Sequence, residues 1–229
     1  MEYEKLEYFI SAKRLERYLV ACNHSKVYTS RLYSLNMKLS QAFYPLLSMT
    51  EIFLRNSINN VLTAYFSDPN WIVTQKSGFM NDSLLSQKYV LRESIHQAEH
   101  KIKERGDKIT AGKIIAEQSL GFWVSLYYKK HYKLLKGSII KCFPHKESGI
   151  KRHDIYQSLD HIRTFRNRIY HNEPICFDNK CISFRYPKLM KDEIYKIMAW
   201  MDPGLISYIN EFDDIDYHIN SGEKLRKRI

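Results

Sequence analysis

The spacing of apolar and polar positions predicts that most of this chain is α-helical. Apolar residues recur every three or four positions over long stretches, which is the period that gathers them on one face of a helix. The pattern stops at groups of turn-forming residues, where glycine, proline and asparagine favour a change of chain direction. The clearest breaks are Asn23-His24-Ser25, Asp68-Pro69-Asn70, Gly106 and Asp202-Pro203-Gly204.

Three helices are predicted before residue 70, over residues 3–22, from about Lys26, and over about 46–66. Pro45 either kinks the second helix or begins the third, because its ring excludes the hydrogen bond to residue 41. The apolar stripe of the second helix is Leu32, Leu35, Leu39 and Phe43. The stripe of the third is Leu54, Ile58, Val61 and Tyr65, and Glu51 continues it. Residues 71–82 are predicted to form a loop.

The rest of the chain is predicted to contain several further helices, the clearest over about 150–172. A polar helix runs from an Asn81-Asp82-Ser83 cap to Arg105, and short helices follow Thr110 and Ser119. Residues 175–184 form two short apolar runs about a turn, which predicts a β-hairpin. A last helix over about 188–212 is interrupted near residue 203, and the basic tail 224–228 is solvated. The prediction is one all-α domain, 1–229, of seven or eight helices with at most one small hairpin and a weak seam near 106–110.

The composition is that of an ordinary globular protein with an excess of positive charge. Of the 229 residues 44% are apolar and 27% are charged, and the net charge is +11. Residues 124–168, the basic segment, hold eleven Lys and Arg residues against three acidic ones, a net of +8. This concentration favours a polyanionic partner such as RNA. The candidate RNA contacts are Lys129, Lys130, Lys133, Lys136, Lys151, Arg152 and Arg163, and Tyr127, Tyr128 and Tyr132 are candidates for stacking on bases.

Other features argue against a membrane protein, a secreted protein and a metalloprotein. No apolar run approaches the roughly 18 residues needed to cross a bilayer, and the N-terminus lacks the basic and apolar regions of a signal peptide. A cytoplasmic location with reduced thiols is therefore expected. Cys176, Cys181 and His171 leave a zinc site without a fourth ligand, so no metal and no other cofactor is predicted.

Residues 163–174 concentrate the groups that a metal-free ribonuclease requires. Such an enzyme takes the proton of the RNA 2′-hydroxyl, returns a proton to the leaving oxygen and stabilises charge on phosphorus. His171 suits the proton transfers, since an imidazole titrates near neutral pH. Arg166 suits the phosphate, because its guanidinium is a bidentate and permanent cation. Asn167 precedes His171 by four residues, so the two share a helix face and the amide can orient the imidazole.

The sequence allows more than one partner for Arg166 and more than one way to bring Arg166 close to His171. Arg166 continues an apolar stripe, so it is expected to face the core and to need an acceptor, for which Glu51 is the candidate. A Glu51–Arg55 pair within one helix is the alternative. Arg166 and His171 differ by about 140° around a regular helix. They converge only if the arginine reaches round, if the helix loosens before Pro174, or if two subunits supply one motif each.

The spacing of arginine and histidine is weak evidence by itself, because Arg17 and His24 also fit it. What distinguishes the later pair is the asparagine after Arg166, the predicted helix end and the adjoining basic segment. The alternative interpretation is a polar helix end with His171 near its negative terminus, where a cation is favourable.

Five blocks of residues, in order, resemble the Abi-like (AbiD/AbiF) abortive-infection proteins of bacteria. The blocks are Tyr18-Leu-Val-Ala-Cys22, Leu32-Tyr-Ser-Leu-Asn-Met-Lys-Leu-Ser40, Glu51-Ile-Phe-Leu-Arg-Asn56, Gly121-Phe-Trp-Val-Ser-Leu126 and Arg166-Asn-Arg-Ile-Tyr-His-Asn-Glu-Pro-Ile175. The resemblance covers roughly residues 11–200. These proteins are similar to the HEPN superfamily of α-helical ribonucleases with an Arg-(polar)-x3-His motif, and type VI CRISPR effector nucleases carry a similar motif.

The resemblance implies an all-α HEPN-like fold and phage defence by RNA cleavage or growth arrest. In some members it also implies control by a small noncoding RNA, as in toxin–antitoxin pairs. Carried over residue by residue, it assigns the catalytic motif to Arg166, Asn167 and His171 and a supporting polar block to Glu51, Arg55 and Asn56. A homodimer is implied as well, since HEPN nucleases commonly build one site from two motifs.

Three functions from different classes follow from these observations. The first is a metal-independent endoribonuclease toxin. The second is an RNA-binding module, in which the basic segment holds a structured noncoding RNA and the motif is inactive or repressed; the two agree if that RNA is the antitoxin. The third is a helical adaptor whose basic surface binds partners other than RNA.

Overall fold

The computed structural model describes residues 2–85 and 88–229, and over these ranges the chain forms twelve α-helices and one hairpin. The prediction of an all-α fold with at most one small hairpin is confirmed, although there are more helices than the predicted seven or eight. The helices are α1 (Tyr3–Ile10), α2 (Ala12–Ala21), α3 (Lys26–Phe66), α4 (Trp71–Thr74), α5 (Val90–Glu104), α6 (Ala111–Glu117), α7 (Leu120–Ser125), α8 (Lys129–Leu134), α9 (Arg152–Tyr170), α10 (Arg185–Met201), α11 (Gly204–Asn210) and α12 (Ile215–Arg226). Strands β1 (Phe177–Asp178) and β2 (Cys181–Ile182) pair antiparallel, with Phe177 opposite Ile182.

The additional helices come from one division and from segments predicted to be irregular. The predicted helix 3–22 is two helices, because Ser11 has a φ of 85° and its hydroxyl accepts a hydrogen bond from the Arg14 N–H at the start of α2. The predicted loop 71–82 contains α4, in which Trp71 is fully buried. Residues 224–226 of the basic tail belong to α12, which buries Ile215 and Ile219, and four of the five tail residues are exposed, as predicted. Residues 86 and 87 of the predicted polar helix lie outside the described residues, and the helix itself begins at Val90.

Helix α3 replaces two predicted helices with one of 41 residues, and Pro45 lies inside it. Leu32, Leu39 and Phe43 of its first stripe are buried as predicted. Leu35 is only half-buried, and the buried residue at this turn is its neighbour Asn36, which is 1% exposed. The Asn36 side-chain oxygen accepts a hydrogen bond of 2.9 Å from the Ile175 N–H. A backbone donor far along the chain therefore explains a buried amide on this stripe.

The described residues divide into two compact units. Unit 1 comprises 1–48, 164–196 and 207–229, and unit 2 comprises 49–163 and 197–206. The boundaries fall within α3, α9, α10 and α11, and none falls at the weak seam predicted near 106–110. A single domain over 1–229 stays a prediction.

Each unit has its own apolar core. The largest fully buried side chains of unit 1 include Leu15, Leu32, Leu39, Phe43, Phe165 and Phe184. Those of unit 2 include Trp71, Trp123, Tyr127 and Phe143. Burial of aromatic and branched side chains at about 25 cal/mol per Å² of apolar surface is the main stabilising contribution to such cores. Within the described ranges, no helix is both long enough and apolar enough to span a membrane.

Candidate functional site

The candidate motif lies at the C-terminal end of α9, where the chain leaves the helix through a left-handed residue. Asn172 has a φ of 54°. Its N–H donates to the Ile169 carbonyl (2.9 Å), and the Glu173 N–H donates to the Arg168 carbonyl (2.8 Å). These two bonds form a Schellman motif, which satisfies carbonyls that the end of the helix would otherwise leave without partners.

His171 directly follows Tyr170, the last residue of α9. Its N–H still donates to the Asn167 carbonyl, at 2.9 Å, so the helical hydrogen-bond pattern continues up to this residue. The imidazole is exposed and the Asn167 side chain is half-buried. Among the described residues neither side chain has a hydrogen-bond partner, so the expected orientation of the imidazole by the amide is not formed here. Both groups are available to a ligand.

Arg166 packs against an aromatic stack. Its guanidinium carbon lies 3.9 Å from the centroid of the Tyr170 ring, a cation–π contact. The Tyr170 ring in turn stacks on Tyr44, with centroids 6.0 Å apart and an interplanar angle of 24°. The core position expected for Arg166 is taken by its neighbour Phe165, which is fully buried, whereas Arg166 is half-buried. The prediction that Arg166 faces the core is therefore confirmed only in part, because its Nε is buried but Phe165, which also fits the helical spacing, takes the fully buried position.

A cavity of about 460 Å³ adjoins this stack, between α3 and the end of α9. Tyr44, Tyr170 and Asn172 line it, together with Met37 and Ile169. Both tyrosine rings are about half exposed. Exposed aromatic rings beside a cavity of this size can stack on a nucleobase. Sequence reasoning missed both tyrosines, although Tyr170 lies inside the motif; the contact that pairs it with Tyr44 spans more than a hundred residues.

The supporting polar block lies on the part of α3 that belongs to unit 2. Glu51 and Arg55 are half-buried and Asn56 is exposed. The prediction that Glu51 continues a buried stripe is wrong, because the buried position is held by Thr50, which is fully buried. The proposed pairing of Glu51, with Arg166 or with Arg55, stays a prediction.

The candidate RNA contacts of the basic segment fall into two groups. The exposed group consists of Lys129, Lys130, Lys133, Lys136 and Lys151. Three of these lysines are on the single short helix α8. The two arginines have protein partners: Arg152 donates to the Tyr127 carbonyl at 2.8 Å, and Arg163 pairs with Asp160 at 2.6 Å. The lysines are thus the part of the basic segment that faces solvent.

The three tyrosines proposed for stacking also differ from one another. Tyr127 is fully buried and its hydroxyl donates to the Ile139 carbonyl at 3.1 Å, so the prediction that its ring stacks on RNA is wrong. Burial raises the pKa of Tyr127 well above its ordinary value. Tyr132 is half-buried, and Tyr128 is exposed and lies parallel to the His131 ring, with centroids 6.0 Å apart. Of the three tyrosines, Tyr128 is therefore the most accessible to a base that stacks on its ring.

Metal-ligating residues are scattered rather than clustered. Among the described residues no group of three or more His, Cys, Asp or Glu side chains is arranged to hold a metal ion. Cys176 is buried and Cys181 is exposed. Burial raises the pKa of the Cys176 thiol to about 12.

Comparison with known proteins assigns neither a family nor a function to the chain. Neither a protein-family model, nor a curated protein, nor a solved structure matches the chain. Function is therefore inferred from the residues and from the geometry of the chain itself.

Proposed function

We propose that this chain is a metal-independent endoribonuclease whose site is built from Arg166, Asn167 and His171. The observation that carries the proposal is the exposed imidazole of His171 next to Tyr170, whose ring holds the Arg166 guanidinium at 3.9 Å. A general acid/base and a fixed cation thus belong to the same helix end, beside a cavity with aromatic walls. The resemblance to Abi-like proteins further supports a role as a phage-defence toxin held in check by a noncoding RNA.

The reaction follows from the chemistry of RNA. The 2′-oxygen attacks phosphorus as its proton passes to a base, and the 5′-oxygen leaves as it receives a proton. The products are a 2′,3′-cyclic phosphate and a 5′-hydroxyl. His171 transfers a proton at one of these oxygens, and the guanidinium of Arg166 stabilises the additional charge on the phosphate oxygens. Asn167 contributes its amide as a hydrogen-bond donor to the phosphate or to the imidazole.

We propose that a second copy of the chain completes the site. The hydrogen bond from the His171 N–H to Asn167 keeps α9 regular to its end, so the arginine and histidine of one copy are still about 140° apart around the helix. One imidazole also serves only one of the two oxygens at a time. A homodimer with two motifs facing each other supplies one histidine for each oxygen.

We propose substrate contacts in each of the two units separately. A base stacks on the Tyr44 and Tyr170 rings, in the cavity of about 460 Å³ that they line. The exposed lysines of α8 and its flanks bind phosphates through long-range attraction that depends on salt.

The test is cleavage of RNA by purified protein in the presence of EDTA. We expect fragments with 2′,3′-cyclic or 3′-phosphate ends, and a loss of activity of about 100-fold or more in His171→Ala, the range for removal of a general acid/base. His161→Ala is the matched control, since His161 is an exposed histidine on the same helix. Cleavage that requires Mg²⁺, or that survives His171→Ala, refutes the proposal, and a cleaving monomer refutes the two-copy site.

The second candidate function is an RNA-binding module without catalysis. It is favoured by the six exposed lysines of the basic segment, Lys141 included, and by the absence, among the described residues, of a hydrogen bond that orients His171. In this case a discrete RNA purifies with the protein, and its binding weakens with salt. That RNA stays intact, and His171→Ala binds it as tightly as the unmodified chain.

A further inference from the structure

A second cavity in unit 1 lies apart from the residues of the candidate motif. Its volume is about 490 Å³, and it is formed by Arg17 of α2, Arg168 of α9, the hairpin and the first turn of α10. The α10 residues in its wall are Arg185, Tyr186 and Leu189. A concave site of this volume is large enough for a ligand of about the size of a nucleotide.

Two of the three arginines in this cavity are held in place by neutral groups. A guanidinium nitrogen of Arg17 donates to the Asn179 carbonyl, and one of Arg168 donates to the Pro174 carbonyl at 2.8 Å. These acceptors fix the side chains but do not neutralise their charge. Each guanidinium has five N–H donors in a planar fork, so donors remain for a ligand.

Two acidic residues near the cavity offset part of this positive charge, and the excess stays positive. Asp178 is in its wall, and Glu173 lies 3.5 Å from Arg168. Among the described residues, no carboxylate forms an ion pair with Arg17 or Arg185. The Arg185 side chain is exposed and makes no hydrogen bond within the described part of the chain. Such a cavity favours an anion with several oxygens, because a guanidinium binds phosphate in a bidentate manner.

Aromatic rings give the cavity flat, apolar surfaces beside the charge. The Arg17 guanidinium carbon lies 4.4 Å from the centroid of Phe177, and that of Arg168 lies 5.4 Å from the centroid of Tyr186. Phe177 is buried and Tyr186 is half-buried, so both guanidinium groups lie near rings that the fold holds in place. Layers of guanidinium and aromatic groups provide stacking surfaces for a base as well as charge for a phosphate.

We propose that this pocket binds a nucleoside monophosphate, either as a free nucleotide or as the phosphorylated end of an RNA. Arg185 and Arg17 bind the phosphate, and the wall formed by Tyr186 and Leu189 holds the base. Inorganic phosphate leaves the aromatic wall unused, and a nucleoside leaves the guanidinium groups unused. The lining of the pocket does not include Arg166, Asn167 or His171. The proposal therefore does not depend on RNA cleavage.

The test is isothermal titration calorimetry of the full chain with AMP, adenosine and inorganic phosphate. We expect AMP to bind, and the two partial ligands to bind at least about tenfold more weakly, since each lacks one set of contacts. Arg185→Ala is expected to weaken AMP about tenfold or more, and Arg185→Lys to recover only part of the loss, because it restores charge without the fork. Lys188→Ala removes a neighbouring exposed cation of α10 that does not line the pocket, and it is expected to bind AMP normally.

A second titration distinguishes the two sources of the nucleotide. It compares short oligoadenylates with a 5′-phosphate and with a 5′-hydroxyl. Tighter binding of the phosphorylated oligonucleotide than of AMP identifies an RNA end as the ligand, and equal binding identifies the free nucleotide. The proposal is overturned if the phosphate adds nothing to the affinity of either ligand, or if Arg185→Ala binds AMP as tightly as the unmodified chain. His171→Ala retains AMP binding, so failure of the proposed cleavage and failure of this pocket are separate results.

Discussion

A single carboxylate, Asp213, shows how much of this fold depends on individual polar residues. Its side chain is 5% exposed, and Lys191 Nζ lies 2.6 Å from its Oδ2. Burial alone would raise the pKa of Asp213, but hydrogen bonds from Lys191 and Tyr195 outweigh burial and lower it. A carboxyl with a lowered folded-state pKa stabilises the fold at pH values above its unfolded pKa. That stability is lost as the pH falls through the folded pKa.

We therefore predict that Asp213→Asn lowers the free energy of unfolding by about 1–3 kcal/mol at neutral pH, since it removes a charge partner of a mostly buried lysine. The difference from the unmodified chain is expected to shrink as the pH falls through the lowered pKa of Asp213, because the carboxyl is then protonated in the folded state. Urea denaturation across this pH range measures both effects. Asp192→Asn, at an exposed position of α10, is the control and should change little. A difference that is the same at every pH would contradict the role assigned to the charge.

At the scale of elements, apolar periodicity predicted the helices but not all of their boundaries. Periodicity shows that α3 is helical on both sides of Pro45, and it cannot show that one helix passes through the proline. It also cannot predict Ser11, whose positive φ divides α1 from α2. Both features depend on contacts and backbone angles that no local spacing encodes.

In the candidate site, too, features that are local in sequence were predicted and contacts between distant residues were not. The motif is visible in the sequence, and the end of its helix was predicted near residue 172, two residues beyond the observed end at Tyr170, because both features are local in sequence. The Tyr44–Tyr170 stack was not predicted, and neither was the bond from Ile175 to Asn36. Each of these joins residues more than a hundred positions apart, so only the fold brings them together.

Two exposed glycines provide a test of how α5 ends. Gly106 follows α5 with a φ of 75°, and its N–H donates to the Lys103 carbonyl at 2.8 Å. A side chain there meets no atom within 4 Å, so Gly106→Ala is expected to cost about 1 kcal/mol through backbone strain alone. Gly112 lies inside α6, also in open space, so Gly112→Ala should stabilise by about 0.5–1 kcal/mol. Thermal unfolding of both variants measures the shifts, and a change of the same sign in both would contradict this account of the helix end.

For the whole molecule, the question is whether RNA binding follows total charge or its placement. The net charge of +11 attracts any polyanion over a distance set by the ionic strength. The basic segment adds a localised component, because Lys129, Lys130, Lys133 and Lys136 are exposed within eight consecutive residues of unit 2. The two contributions can be separated by removing the same number of positive charges either from this cluster or from other parts of the chain.

We predict that replacing these four lysines by glutamine weakens RNA binding and flattens its dependence on salt. Each lost phosphate contact reduces the slope of log K against log salt concentration by about 0.7 for single-stranded RNA, so four contacts reduce it by about 3. The control replaces four exposed lysines elsewhere, Lys5, Lys13, Lys101 and Lys103, and lowers the net charge equally. Filter binding at several salt concentrations measures both slopes. If the two variants lose the same affinity, total charge explains the binding; if only the first does, the lysines of α8 and its flank are the RNA contact.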